Sequence, residues 1–384
     1  MSGPNEPGSG GQYDVVIVGG GITGMCLSWF LAESGLSVAC LDHGRDSGST
    51  ANAGSMHVQM QSRLIRLFPD RLEDFKRTLW LYPLAVEFWQ QLAADLEDDV
   101  ELVINGGLMV AEDAEQLESL GRKCAIENSH GVNTRILDRG ELQRIAPYLS
   151  DRLHGACYCE HEGKVNPLKA NAAIEHRALS AGAAIHREVA VLGIEQGKPG
   201  FDVHTNKGNY QSERVVLAAG SGSGELAGGL GIDLPTRAEP LHMNVTDAAE
   251  PLIEHLVQHA SRPITLKQLY SGHVVVGGGW PAAEGDGEAP PGVLSDSVQG
   301  NLELACEIVP RVASLRLLRT WAGVNPLVDL VSVLGEAPSV PGLFVAVPGD
   351  AGYTLGPICA RLLADRMLDR PVSQPIDQFR PERF

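Results

Sequence analysis

The residues best suited to chemistry form a glycine-rich turn near the start of the chain. Gly19, Gly21 and Gly24 follow a short apolar run, 13–18, and precede a helical pattern over 25–34. Glycine at this spacing gives a tight turn, lets the backbone approach a pyrophosphate and lets the helix pack on the strand. The free N–H groups at the helix start would face the phosphates. The pattern therefore predicts a dinucleotide site. Its candidate contacts are Gly19, Gly20, Gly21, Ile22, Thr23 and Gly24.

An acidic residue stands where the next strand should end. Asp42 closes the apolar run 37–42, and His43 follows it. A carboxylate there would accept hydrogen bonds from an adenosine ribose and would repel a 2′-phosphate. The order strand, turn, helix, strand is a βαβ unit, which is the context that the glycine motif requires. NAD and FAD both fit this unit.

Two further segments favour FAD. The small residues of 48–55 can pass beside a flat ring. The apolar run Leu343–Val347 leads into the glycine-rich turn 349–356 and a helix over 357–368. A second helix N-terminus of this kind can face the flavin N1–C2=O edge, which gains negative charge on reduction. An NAD-dependent dehydrogenase is the alternative.

Hydrophobic periodicity predicts the remaining elements. We expect helices over 74–96, 114–128, 167–181 and 295–309. We expect strands over Gly107–Ala111, 185–195, 201–204, 209–218, 241–246, 264–269 and His273–Gly277. The α/β texture of the N-terminus returns at 214–220 and at the C-terminus, which indicates a discontinuous domain.

The predicted fold class is therefore α/β. We expect a Rossmann-type, glutathione-reductase-like FAD-binding domain and a second, sheet-rich α+β substrate domain. The first domain comprises 12–62, 150–235 and 320–384, the second 63–149 and 236–319, and residues 1–11 form a disordered leader.

Composition limits the possible partners. The formal net charge is −18, with no basic stripe. Nucleic acids and anionic membranes are therefore unexpected partners, since both need clustered Lys and Arg. The run 15–32 carries no charge, but its four glycines favour strand, turn and buried helix over a transmembrane segment. The polar leader is not a signal peptide. We expect a cytoplasmic protein.

The cysteines predict neither disulfides nor a metal site. Seven scattered cysteines suit a reducing compartment. Cys157 and Cys159 would point the same way on a strand, but no second pair stands at zinc or iron–sulfur spacing.

At larger scale the sequence resembles a known superfamily. Its segments VVIVGGGITG, LAESGLSVACLD, GSTANAGS, EGKVNPLKA, RVVLAAG, RTWAGVNP and VPGLFVAVPGDAGYTLGP span nearly the whole chain. They resemble the D-amino acid oxidase-like superfamily, which includes glycine and sarcosine oxidases and D-amino acid dehydrogenases. ANAGSMHVQ and EGKVNPL are most similar to FAD subunits of opine oxidases, hydrogen cyanide synthases and hydroxyproline dehydrogenases.

The resemblance implies further FAD contacts. Ser49 and Thr50 would lie near the pyrophosphate, and Val189 would contact adenine through its backbone. Asn52, Ala53, Gly54 and Ser55 would lie near the isoalloxazine. Ala219 and Gly220 would close over the dinucleotide. The ring and ribityl chain would be covered by Gly349, Asp350, Gly352, Tyr353, Thr354 and Leu355. FAD would be non-covalent, since no Cys lies near Asn325.

The resemblance also implies the reaction, in which a neutral amine loses hydride from Cα to flavin N5 and the imine hydrolyses. Relatives commonly carry Arg before the Pro that follows Trp-Ala-Gly, where this chain has Asn325. Lys267 is our candidate to replace that cation, with Arg237 and His242 as alternatives. His57 could serve over the ring as a donor or base.

The same resemblance implies how the reduced FAD would be reoxidised. Electrons would pass to partner subunits with a second flavin or an iron–sulfur centre. The alternatives are a stand-alone oxidase that uses oxygen and a flavin-binding subunit without catalytic activity. The expected substrate is an N-substituted amino acid, opine-like or imino-acid-like.

Overall fold

The computed structural model describes residues 11–44, 48–61, 68–285 and 290–384. Residues 1–10 of the expected leader lie outside the described residues. The helices of the described residues are α1 (Ile22–Glu33), α2 (Leu72–Lys76), α3 (Leu81–Asp95), α4 (Ala114–Ser129), α5 (Arg139–Ile145), α6 (Pro167–Ser180), α7 (Ser223–Gly228), α8 (Ser295–Ile308) and α9 (Gly352–Met367).

The strands of the described residues are likewise labelled in chain order. They are β1 (Gln12–Val18), β2 (Val38–Asp42), β3 (Ser55–Met56), β4 (Val103–Ile104), β5 (Gly107–Ala111), β6 (Thr134–Asp138), β7 (Gly155–Cys159), β8 (Gly163–Lys164), β9 (Ala184–Arg187), β10 (Val191–Gln196), β11 (Phe201–Thr205), β12 (Gly208–Leu217), β13 (Arg237–Ala248), β14 (Leu256–His259), β15 (Thr265–Gln268), β16 (His273–Gly277), β17 (Leu317–Leu327), β18 (Val333–Glu336) and β19 (Leu343–Val347).

The chain divides into two compact units. The first unit comprises the described residues within Met1–Thr50, Asn171–Ala238 and Asn325–Phe384. The second unit comprises the described residues within Ala51–Ala170 and Glu239–Val324. The sequence prediction instead assigned 51–62 and 150–170 to the FAD-binding domain. The boundaries differ because β3 and β8 hydrogen-bond to each other and β8 to β4, which holds both segments in the second unit.

The first unit is built on a parallel sheet. Its parallel strands lie in the order β19, β12, β1, β2, β9. β18 adds antiparallel to β19, and β11 and β10 add antiparallel beside the first half of β12. The middle strands are buried, which explains their continuous apolar runs.

Helix α1 is apolar because it lies inside the first unit. Every residue from Ile22 to Ala32 is buried. This burial, together with that of residues 15–18 in β1, accounts for most of the uncharged run 15–32. Within the described residues, no helix combines the length and apolar character that crossing a membrane requires.

The second unit contains a mixed sheet with the strand order β17, β13, β16, β15, β14, β5, β7, β6. β14 and β5 run parallel, whereas the pairs from β13 to β14 and from β5 to β6 along this order are antiparallel. A core that includes Leu266 and Val276 packs with α8 residues on one face. Met109 and Cys157 pack with α4 residues on the other.

Three predicted elements need correction. The helix expected over 74–96 is two helices, α2 and α3. Pro83 lies in the first turn of α3, where Pro is tolerated, but it lacks an N–H and its ring would clash with the carbonyl of Leu79 in a helix continued from α2, which favours a break before α3. The Thr78 hydroxyl also hydrogen-bonds the Phe75 carbonyl at 2.8 Å.

The run 185–195 forms two strands, because β9 pairs with β2 whereas β10 pairs with β11. Glu188, between them, has a positive φ of 57°. Helix α9 begins at Gly352 rather than at Pro357, which lies inside it.

Candidate functional site

The glycine-rich turn after β1 leaves no room for a side chain at Gly19 or at Gly24. Gly19 has φ +114°, and a Cβ there would lie 2.4 Å from the Ala218 carbonyl oxygen. A Cβ at Gly24 would lie 1.9 Å from the Gly19 oxygen. Bare backbone at a helix start is what a pyrophosphate needs for close approach, so the turn fits the diphosphate of a dinucleotide.

The parallel strands bring the other candidate contacts to the same edge of the sheet. Gly19–Gly24 follow β1, and Asp42 with His43 ends β2. Ala219 and Gly220 follow β12, and Gly349, with φ +84°, follows β19. β1 lies between β2 and β12. From β1 the chain continues to β2 on one side, and β12, which comes later in the sequence, pairs with β1 on the other side. Open α/β sheets bind ligands at the carboxyl ends of strands at such a switch point.

Helix α9 starts beside the start of α1. A Cβ at Gly356 would lie 2.8 Å from Ile22 Cγ2 and 2.9 Å from Thr23 Oγ1. The structure thus brings two helix N-termini together within the first unit. Such a pair offers N–H groups and positive dipole ends to an anionic or electron-rich ligand. The residues of this second helix start are Gly352, Tyr353, Thr354 and Leu355.

An amide side chain that sequence reasoning missed connects these segments. Ser49 Oγ accepts a hydrogen bond from Ile22 N at 2.9 Å. Asn171 Nδ2 donates to the Ser49 carbonyl, and Tyr353 O–H donates to Asn171 Oδ1, both at 3.0 Å. Asn171 therefore links the 49–50 segment to α9. No motif spacing pointed to it, because the three contacts join distant parts of the chain.

Asp42 has protein partners at the expected ribose position. Its Oδ1 accepts a hydrogen bond from Gly44 N at 3.1 Å, and its Oδ2 pairs with Arg187. Arg187 also pairs with Glu175. The Val189 N–H donates to the Asp42 carbonyl at 2.9 Å, which places the predicted adenine contact beside β2. Arg187 was missed because β9 lies far from β2 in sequence.

In the second unit, Lys267 and Ser55 come together. Lys267 is fully buried, and its Nζ donates to Ser55 Oγ at 2.7 Å. Burial lowers the pKa of Lys267 to about 7, and the charge of Lys164 contributes. In the same segment, Gly54 N donates to Asn52 Oδ1 at 2.7 Å, and Ala53 lies between them.

His57 is a neutral group at physiological pH. Burial and the charge of Lys267 lower the pKa of His57 to about 3, although a hydrogen bond with the Gln258 side chain acts in the opposite direction. His57 can therefore donate or accept a hydrogen bond, but it does not supply a cation for a carboxylate.

The alternative cations do not share these surroundings. Sheet register pairs Lys267 with Val275, whereas Asn244 pairs with Val276. His242 lies two residues from Asn244 and hydrogen-bonds it at 3.1 Å, so it shares the opposite face of the sheet from Lys267. Arg237 begins β13 and is exposed.

Asn325 belongs to the first unit, whereas Lys267 belongs to the second. Asn325 Nδ2 donates to Asp350 Oδ1 at 2.6 Å, which ties β17 to the turn before α9. Cys157 and Cys159 do lie on one strand, β7, and both are buried. Among the described residues, no three His, Cys, Asp or Glu side chains are grouped to hold a metal ion.

Comparison with known proteins identifies the family of the chain. The family model described as FAD dependent oxidoreductase matches residues 14–366. Glycine oxidase of Geobacillus kaustophilus is 27% identical over 92% of each chain, and an opine oxidase subunit of Rhizobium meliloti is 25% identical over 97% of this chain and 98% of that protein.

The fold also matches a solved structure. The crystal structure of glycine oxidase from Geobacillus kaustophilus superposes with a TM-score of 0.85 at 25% identity, over 97% of this chain and 99% of that chain. The match covers both units of the chain, and the turn, the two helix starts and Asp42 all lie within the matched family region. The chain belongs to the family of FAD-dependent oxidoreductases, with FAD as its cofactor.

Proposed function

We propose that this protein oxidises the C–N bond of an amino acid or an N-substituted amino acid, and that Lys267 binds a carboxylate of the substrate. The observation that carries the proposal is the burial of Lys267 without an ion-pair partner among the described residues. It is fully buried, and none of the ion pairs among the described residues includes it. A buried ammonium is strongly disfavoured unless it is paired. A carboxylate on the substrate would supply that pair.

The similar proteins support this substrate class. Glycine oxidase is named for an amino acid and opine oxidase for N-substituted amino acids. Both kinds of substrate carry an amine next to a carboxylate, so one buried cation can serve either.

The residues of the second unit would orient the substrate. FAD, when bound, supplies an acceptor for hydride from the substrate Cα, and the imine product hydrolyses to a carbonyl. Lys267 would hold the carboxylate, while Ser55 Oγ fixes the Lys267 ammonium. Neutral His57 would position the substrate by hydrogen bonding and carries no charge that competes with Lys267. We also propose that FAD is held by the residues that the sequence analysis names as its contacts.

The residue at 325 favours an N-substituted substrate. Asn325 has no charge, and it is engaged with Asp350. Lys267 is a point charge and lacks the planar fork with which Arg binds a carboxylate at two points. A second substituent on the amine would supply the missing binding energy elsewhere.

An anaerobic screen tests the proposed function. The purified holoprotein is mixed with amino acids, N-methyl amino acids and opines, and bleaching of the flavin is recorded by stopped flow. We expect N-substituted amino acids to bleach fastest. Faster bleaching by glycine or D-alanine would contradict the argument from Asn325, and no bleaching by any amine would contradict the proposed function.

We further infer that electrons leave through partner subunits with an iron–sulfur centre or a second flavin. A relative named as a subunit supports this, and no metal-holding group occurs in the described part of this chain. Purification of the tagged protein from its native host should recover a second chain with Cys clusters. The resemblance to glycine oxidase favours the alternative, a stand-alone oxidase. Stoichiometric peroxide from this chain alone, at full activity, would establish that alternative.

A further inference from the structure

A buried carboxylate in the second unit, Glu162, has no part in the reaction described above. Its side chain is fully buried and accepts hydrogen bonds from N–H groups. The Val58 and Gln59 N–H groups each lie 2.9 Å from its Oε1. The side-chain amides of Gln59 and Gln258 lie 2.9 Å and 3.0 Å from its Oε2. A carboxylate offers about four sites to such donors, so Glu162 is satisfied in its ionised form.

The sheet leaves room for this carboxylate. A Cβ at Gly107, on β5, would lie 1.9 Å from Glu162 Oε2. Burial raises the pKa of Glu162, whereas the hydrogen bonds from Val58 and Gln59 and the charge of Lys123 act in the opposite direction. Because a buried carboxylate is costly unless fully hydrogen-bonded, its specific donors indicate what it holds in place.

The donors belong to the segment that follows Ser55 and His57. Ser55 is the partner of Lys267 Nζ. Gln258 connects to His57 through a side-chain hydrogen bond, and its Oε1 accepts from Gln61 Nε2 at 2.6 Å. Glu162 therefore holds both the backbone directly after His57 and the amide that contacts the His57 ring.

We propose that Glu162 is a positioning residue, which fixes residues 57–59 and the Gln258 amide so that Ser55 and His57 keep one arrangement around Lys267. The inference rests on the proposed function. Glu162 acts through its donors and is not assigned any contact with substrate or FAD.

Glu162→Gln tests the role, because the new NH₂ group would face N–H donors. In the holoprotein we expect the amides of the 55–61 segment to exchange with deuterium about tenfold faster than in wild type. We expect KM to rise about tenfold with kcat within about twofold, and flavin content to stay unchanged. Gln258→Met removes the Gln258 amide with its links to Glu162, Gln61 and His57 but keeps the bonds from the Val58 and Gln59 N–H groups to Glu162, so it should raise KM while these two amides keep their protection.

A matched control comes from a second buried clamp. Gln268 Oε1 accepts from Leu252 N at 2.6 Å and Ile253 N at 3.0 Å, and these donors lie outside the 55–61 segment. Gln268→Ala should lower the unfolding temperature without changing KM or exchange in 55–61. If Glu162→Gln fails to fold, Gly107→Ala, which displaces the same carboxylate, takes its place in every measurement.

Suppose that amines reduce the wild-type flavin, but that Glu162→Gln keeps the wild-type deuterium exchange and the wild-type KM. This result would overturn the positioning role and leave the proposed function intact. Unchanged KM in Gln258→Met would overturn the link to His57. If no amine reduces the wild-type flavin, the proposed function fails and the positioning role falls with it.

Discussion

At the scale of single residues, the ionisation of Lys267 should control substrate binding. With a pKa of about 7, this lysine is charged below neutral pH and loses its proton as the pH rises. A bound carboxylate favours the charged form and raises the pKa. Affinity for a carboxylate should therefore be high on the acid side and fall on the alkaline side.

We expect the KM of the best substrate to rise between about pH 6 and about pH 9, because the free enzyme loses the ammonium in this interval. Lys267→Met should raise KM about 100-fold, make it nearly independent of pH and leave flavin content unchanged. Steady-state kinetics across this range make the measurement.

Lys164→Met is the control. Without the charge of Lys164 the pKa of Lys267 rises, so the increase in KM should move to higher pH. Unaltered KM in Lys267→Met would remove this residue from the substrate site.

Asp42 allows a second test at this scale. Asp42→Ala should weaken FAD binding by about 1.5–3 kcal/mol, the loss expected for charged hydrogen bonds to a ribose. The unfolding temperature of the apoprotein should change little, since Arg187 retains Glu175. Titration of apoprotein with FAD, followed by fluorescence, measures the affinity. Glu175→Gln removes the other partner of Arg187 and should leave FAD affinity within about threefold. Full flavin occupancy of Asp42→Ala after dialysis would show that Asp42 is not the ribose ligand.

At the scale of elements, the close crossing of α1 and α9 at Gly356 sets how near the N-termini of the two helices lie to each other. Gly356→Ala places a methyl group against Ile22 and Thr23 in the first turn of α1. Overpacking of this kind costs about 1–3 kcal/mol, so the unfolding temperature and FAD affinity should both fall. Differential scanning fluorimetry of the apoprotein and FAD titration measure the two effects.

The control for this change is another glycine within a helix. A methyl group at Gly121, on α4, would have no described atom of another element within 4 Å, so Gly121→Ala should be neutral or stabilise by up to about 1 kcal/mol. Equal effects of the two substitutions would mean that the crossing of α1 and α9 is not tightly packed.

At the scale of the whole molecule, the flavin should be released by acid precipitation. Cys26, Cys40 and Cys359 of the first unit are buried, and burial raises the pKa of Cys40 and of Cys359 to about 12. Such thiols are not nucleophilic near neutral pH, so they should not form a bond to the ring. The absorbance of the supernatant measures the released flavin, with a protein of known covalent flavin as the reference. Yellow colour that remains in the pellet would establish a covalent link.

The sequence alone determined the dinucleotide-binding βαβ unit near the start of the chain, and the resemblance to a known superfamily indicated FAD. Gly19, Gly21, Gly24 and Asp42 lie within one βαβ unit, where spacing along the chain defines position in space. Periodicity also placed correctly most of the helices and strands that it predicted, but several strands, among them β6, β7 and β17, were not predicted. It failed where a local feature interrupted the pattern, as Pro83 does at the start of α3 and the turn at Glu188 does between β9 and β10.

Only the tertiary structure decided which polar groups meet. Lys267 and Ser55 are 212 residues apart, and the pairing of Arg187 with Asp42 joins two strands that are neighbours only in the folded sheet. The face that His242 occupies depends on strand register, in which a shift of one residue reverses every side chain. Such contacts are set by long-range strand pairing and burial, which no local spacing records.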